Sequence, residues 1–222
     1  MCGRFTLTAE AKELAKRFGI EISASFYKTV APRYNIAPTQ PVVVLANDGK
    51  RCLMQMRWGL IPSWAKDPAV GNRMINARSE TLTSRPAFRV SIRKRRCLIL
   101  ADGFYEWKKT GTVKQPVRIV LKNCEPFGFA GLWDNWKSPN GNEIATCTII
   151  TTEANDLIAT IHDRMPVVLP RQSEDTWLDP ESPLSELLAL LKPYPSDQME
   201  FYPVSRAVNS PGYNSPDCIV PI

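Results

Sequence analysis

Histidine is almost missing from this 222-residue chain, with one at position 162. A single imidazole leaves the usual His/Cys zinc spacings unfilled. The six cysteines, at 2, 52, 97, 124, 147 and 218, include no CxxC and no close pair, so no dithiol redox motif is spelled out. No metal or cofactor is expected. Apolar runs long enough to span a membrane are absent, as is an apolar signal segment. There is no internal repeat and no low-complexity linker. With 44% hydrophobic residues, the expectation is one domain over residues 1–222, cytoplasmic, with reduced thiols.

What is present is unevenly charged. Residues 1–111 hold 20 Lys+Arg against 8 Asp+Glu, and residues 112–222 hold 8 against 14. A basic half suits an anionic polymer docking on one face. A chance imbalance on a solvated surface is the competing explanation.

Turn and periodicity signals organise the chain. Thr8 is placed to cap a helix to about Phe18, stopped by Gly19. The segment from Ala31 to Gln40 is proline-punctuated and is read as irregular. Pro41–Ala46 and Arg51–Trp58 read as strands around an Asn47-Asp48-Gly49-Lys50 turn. A basic run ends at Arg93-Lys94-Arg95-Arg96 and feeds a strand at 97–100. Val117–Leu121, Phe127–Leu132, Ile144–Ile150 and Val167–Leu169 are further strands. Thr152 is placed to cap a helix through about Ile161, with short helices near 174–178 and 184–191. Many short strands at close spacing favour a β-rich α+β domain over a parallel α/β sheet.

Six groups of residues could carry chemistry. Cys2 follows the initiator methionine. Removal of Met1 would leave an α-amine and a thiol on one residue, which together can convert an aldehyde to a Schiff base and then a thiazolidine. Burial as a small first-strand residue is the alternative. His162 is the one side chain of a type whose unperturbed pKa is near neutrality, or else a core histidine satisfied by one hydrogen bond. Glu106, between Tyr105 and Trp107, is either a desolvated acid/base or a buried ion-pair partner. Asn76 could hold a backbone group, or only stabilise a turn. Arg4, Arg73 and Arg78 match phosphates, and Trp58, Trp64, Trp107 and Phe104 are candidate stacking faces. Surface charge explains the arginines equally well, and burial in a core is the commoner role of such aromatics.

Read in order, the motifs Met1-Cys2-Gly3-Arg4-Phe5, Pro32-Arg33-Tyr34-Asn35-Ile36-Ala37-Pro38, Met56-Arg57-Trp58-Gly59-Leu60-Ile61-Pro62 and Asn76-Ala77-Arg78-Ser79-Glu80 continue into 97–107 and Ile161-His162-Asp163-Arg164-Met165-Pro166. This series closely resembles the SRAP (SOS response-associated peptidase) family and covers essentially the whole chain. The long C-terminal extension of some eukaryotic members is absent, as in bacterial ones.

The resemblance implies a single α+β domain, a barrel-like mixed sheet flanked by short helices. It implies covalent capture of abasic sites in single-stranded DNA, including single-strand/duplex junctions, by a thiazolidine at Cys2 after Met1 removal. Asn76, Glu106 and His162 would surround Cys2. Arg4, Asn35, Trp58, Trp64, Arg73, Arg78 and Ser79 would hold the DNA. A monomer, nucleoid-associated during DNA damage, is expected. The alternatives are a thiol peptidase acting on other proteins through Cys2, and a non-covalent single-strand binder.

Overall fold

β-Branched and aromatic residues crowd the segments that become strands, as a pleated and half-buried surface requires. The computed structural model describes residues 2–23, 26, 30–47 and 49–222, with Thr110 described by its backbone alone. In chain order the described strands are β1 (Phe5–Leu7), β2 (Arg33–Ile36), β3 (Pro41–Asn47), β4 (Arg51–Trp58), β5 (Asn76–Arg78) and β6 (Arg96–Ala101). There follow β7 (Gly103–Thr110), β8 (Val113–Leu121), β9 (Phe127–Lys137), β10 (Glu143–Glu153), β11 (Arg164–Pro166) and β12 (Met199–Pro203). The helices whose bounds lie within the described residues are α1 (Ala11–Phe18), α2 (Ser91–Lys94), α3 (Asp156–Ala159), α4 (Arg171–Leu178) and α5 (Leu184–Ala189).

Strands β10, β4, β3, β6 and β9 pair in that order, and β9 pairs back onto β10, closing a five-stranded barrel. Its pairings are antiparallel except β4–β10. Closure removes the open edges that would otherwise invite association. β5 and β11 add to β10. A second sheet runs β12-β8-β7-β1-β2. One core fills the space between them. Phe129 makes edge-to-face contacts with Phe5, Phe104 and Phe127 at 5.2–5.9 Å between ring centres. The fold is α+β with a barrel-like core. Among the described residues no helix is long and apolar enough to cross a membrane.

Several local expectations shift for physical reasons. α1 ends as expected, with Gly19 left-handed at φ 61°. Thr8 does not cap it. Its hydroxyl donates to Asp102 Oδ2 (2.7 Å), tying the chain to the β6–β7 corner. Thr152 stays in β10, and Asn155 caps α3 by accepting from Ile158 N. The segment read as irregular contains β2, which pairs with β1. Val167–Leu169 is not a strand, and only Val168 bridges to Phe129. The last residue of the basic run, Arg96, is buried and spends its donors on the carbonyls of Trp177, Ile92 and Arg93. Asp48, in the turn expected between β3 and β4, lies outside the described residues.

Candidate active site and nucleic-acid interface

Strand register brings the start of the chain to Glu106. β1 runs antiparallel to β7 with Phe5 opposite Phe104, and Tyr105 N donates to Arg4 O (3.0 Å). Glu106, one residue further along β7, therefore lies beside the residues preceding Arg4. Cys2 is fully buried. Burial raises its thiol pKa, and the Glu106 charge raises it further. Its Sγ lies 3.8 Å from Arg4 O.

Asn76 reaches Cys2 from the other side. β5 lies parallel to β10 with Asn76 opposite Ile149. From there Asn76 Nδ2 donates to Cys2 O at 2.8 Å, while its Oδ1 is buried with no hydrogen-bond partner among the described residues.

Glu106 is buried, and desolvation raises its pKa, opposed in part by the nearby His162. His162 follows α3, its N–H closing the helix end on Ile158 O (2.8 Å). Its Nδ1 faces two competing partners. Arg164 N donates to it at 3.0 Å, and Asp163 Oδ1 lies 2.7 Å away. The first needs the Nδ1 lone pair and the second needs a proton there. The two contacts therefore exclude each other in any one protonation state of the ring.

The His162 segment is tied to the Asn76 segment by Arg164, whose guanidinium grips both oxygens of Glu80 (2.6 and 3.1 Å) and Thr151 O (2.7 Å). The Arg164 hydrogen bond lowers the Glu80 pKa. Arg164 and Glu80 lie within the quoted motifs, yet their pairing is invisible until β5 and β11 are both seen to dock on β10.

Two clefts are lined by neighbours of Cys2, and Cys2 itself lines neither. One, about 810 Å³, is lined by Glu106, Trp107, His162, Asp163 and Asn209 among others. The second, about 600 Å³, is lined by Asn76, Trp64, Arg73, Arg78, Arg85 and Phe88 among others. Trp64 is 64% exposed, and Arg73, Arg78 and Arg85 are exposed as well. The loop carrying Trp64 leaves β4 through Gly59, at φ +128°. A Cβ there would meet Gly71 O at 2.5 Å, so glycine is required by both the angle and the approach.

Other expected DNA contacts are used internally. Trp58 is fully buried, packs edge-on against Phe5 at 5.1 Å and donates Nε1–H to Ile75 O. Phe104 is buried against Phe129. Neither ring offers a face to a base. Asn35 is buried. Its Nδ2 donates to Val208 O, Ser210 O and Tyr213 O, and its Oδ1 accepts from Arg4 Nη1 (2.8 Å). Arg4 also donates to Val208 O and Asn209 O, and burial lowers its pKa. Arg4 and Asn35 thus fasten the tail over β1 and β2. Ser79 opens a 3-10 turn beside Arg78, half-buried and outside the lining of the second cleft. Sequence reasoning missed Asn209, which holds the Trp107 ring by accepting from Nε1 (2.7 Å). Nothing in the tail's Pro/Ser/Asn composition marks it. Arg85, which lines the second cleft, was missed too.

The chain is 48% identical over 224 residues to the abasic site processing protein YoqW of Bacillus subtilis, covering 99% of both. It is 36% identical to the abasic site processing protein HMCES of Gallus gallus, over 86% of this chain and 66% of that one. A crystal structure of a protein from Bacteroides thetaiotaomicron matches with a TM-score of 0.91 at 28% identity, over 100% of both chains. The model of the SOS response associated peptidase (SRAP) family matches residues 1–211, and the chain belongs to that family.

Proposed function

We propose that this protein processes abasic sites in single-stranded DNA by forming a thiazolidine crosslink at Cys2. The observation that carries the reading is the convergence on Cys2 of Asn76, hydrogen-bonded to its carbonyl, and Glu106, which the β1–β7 register sets beside the start of the chain. Glu106 shares its cleft with His162. The relatives' names supply the substrate class. The reaction requires removal of Met1, which lies outside the described residues.

The closed sugar of an abasic site is a hemiacetal. His162 carries a proton from its hydroxyl to the ring oxygen, and the C1′ aldehyde opens. The freed Cys2 amine adds to C1′. Glu106, kept protonated to higher pH than an ordinary carboxyl, gives a proton to the departing hydroxyl and takes one back from the nitrogen, so that water leaves and the neutral imine forms. The thiol then adds to C1′. The Sγ–C1′ bond forms while the thiol proton passes to the imine nitrogen. A raised thiol pKa fits this order, with the amine and not a thiolate as the first nucleophile. Amine and thiol on one residue, held by Asn76, gain the advantage of an intramolecular reaction, with effective molarities of roughly 10⁵ M or more. Ring closure removes the imine that would otherwise lead to strand cleavage.

The test is the intact mass of the protein after incubation with an abasic single-stranded oligonucleotide. The expected product is the chain without Met1, plus one oligonucleotide, less one water. A heat-stable adduct that retains Met1, or no adduct at all, overturns the thiazolidine.

A further inference from the structure

Strands β7 and β8 form a hairpin in which Lys109 stands directly opposite Lys114. Both side chains are exposed, and no ion pair to either is found among the described residues. Like charges facing each other across an antiparallel pair are destabilising. Their neighbour Lys108 is placed differently, with its ammonium 5.3 Å from the centre of the Phe201 ring. The opposed pair thus costs the hairpin stability unless an anion lies between the two ammonium groups.

Both lysines line the cleft that contains Glu106 and His162. Of the two carboxylates of that cleft, Glu106 is buried, and Asp163 is exposed with its Oδ1 2.7 Å from His162 Nδ1. Trp107 forms a fixed wall through its bond to Asn209. The exposed arginines 73, 78 and 85 line the other cleft, on the Asn76 side. A strand joined to Cys2 through an internal sugar has two flanks, and those arginines serve one. We infer that Lys109 and Lys114 form a phosphate clamp for the opposite flank of the single strand. This inference rests on the abasic-site reading above.

The experiment uses the processed full chain and its Lys109→Gln/Lys114→Gln variant, with folding checked by thermal melting. Three abasic oligonucleotides are compared: one with both flanks, one cut back to the lesion on the 5′ side, and one cut back on the 3′ side. The readout is the salt dependence of the crosslinking rate at subsaturating protein. Each phosphate contact on a single strand contributes about 0.7 to the logarithmic slope. The variant should therefore be shallower by about 1.4 on the two-flank strand. The difference should persist on one shortened strand and vanish on the other. Equal slopes on the two-flank strand overturn the clamp, and so does a difference that survives on both shortened strands, which marks a general charge effect. If the wild-type chain forms no adduct with any strand, the abasic-site reading falls and takes the clamp with it. If it forms adducts with unchanged slopes in the variant, the clamp alone falls.

Discussion

Asn76 and Cys2 are joined by one hydrogen bond, Nδ2 to the carbonyl oxygen at 2.8 Å, while Asn76 Oδ1 is buried without a partner among the described residues. An unsatisfied buried acceptor costs about 1–3 kcal/mol. The Cys2 amine, once freed, or a hydroxyl of the opened sugar is the donor this oxygen fits. Asn76→Asp replaces the donating nitrogen by an oxygen that faces the carbonyl. Crosslinking should slow by about 10²-fold, the order expected when a reacting group is displaced by an ångström. Single-turnover rates measure this, and an unchanged rate removes Asn76 from the site.

Cys2→Ser separates the two bonds of the proposed product. The amine remains, so an imine still forms and can be trapped by borohydride. The heat-stable adduct should disappear, because a hydroxyl is a far poorer nucleophile and closes a labile ring. Denaturing gels with and without reductant report both outcomes. A heat-stable adduct without reductant would show that sulfur is not part of the linkage.

Glu106→Gln should trade activity for stability. Burial raises the folded-state pKa of Glu106, so the folded protein binds its proton more tightly than the unfolded chain, where the group titrates near 4.3. Stability from this group is complete below that value and is lost as pH rises through the folded pKa. The melting temperature of Glu106→Gln should therefore exceed that of wild type at pH 7, with the gap closing toward pH 4. Crosslinking should be slower throughout. A gap that widens on acidification contradicts the burial account.

Trp58 and Trp64 lie six residues apart and should behave as opposites. Trp64→Ala should weaken single-strand binding by about 1–3 kcal/mol, the worth of one stacked base, and leave the melting temperature nearly unchanged. Trp58→Ala should cost about 3–5 kcal/mol of stability through the cavity it opens. Fluorescence binding titrations and thermal melts of both variants distinguish them.

The contrast between these two tryptophans shows where sequence reasoning stopped. Cys2, Asn76, Glu106 and His162 are not diagnostic singly, and the family resemblance is what groups them as a candidate site. The alternation and turn signals around β3 and β4 were legible because a strand's period is local. Arg4 and Asn35 carry the right groups for DNA, yet they hold each other and the tail. A guanidinium has the same composition whether it meets a phosphate or a carbonyl, and only the fold supplies the partner.

By itself, then, the order of residues determined the functional groups, the α+β class and the basic character of the first half. The tertiary structure decided which of those groups meet, because closure of β9 on β10 and the pairing of β1 with β7 are contacts between distant segments. It also decided which aromatics and arginines remain at the surface, since burial depends on what the rest of the chain places above a residue and not on the residue itself.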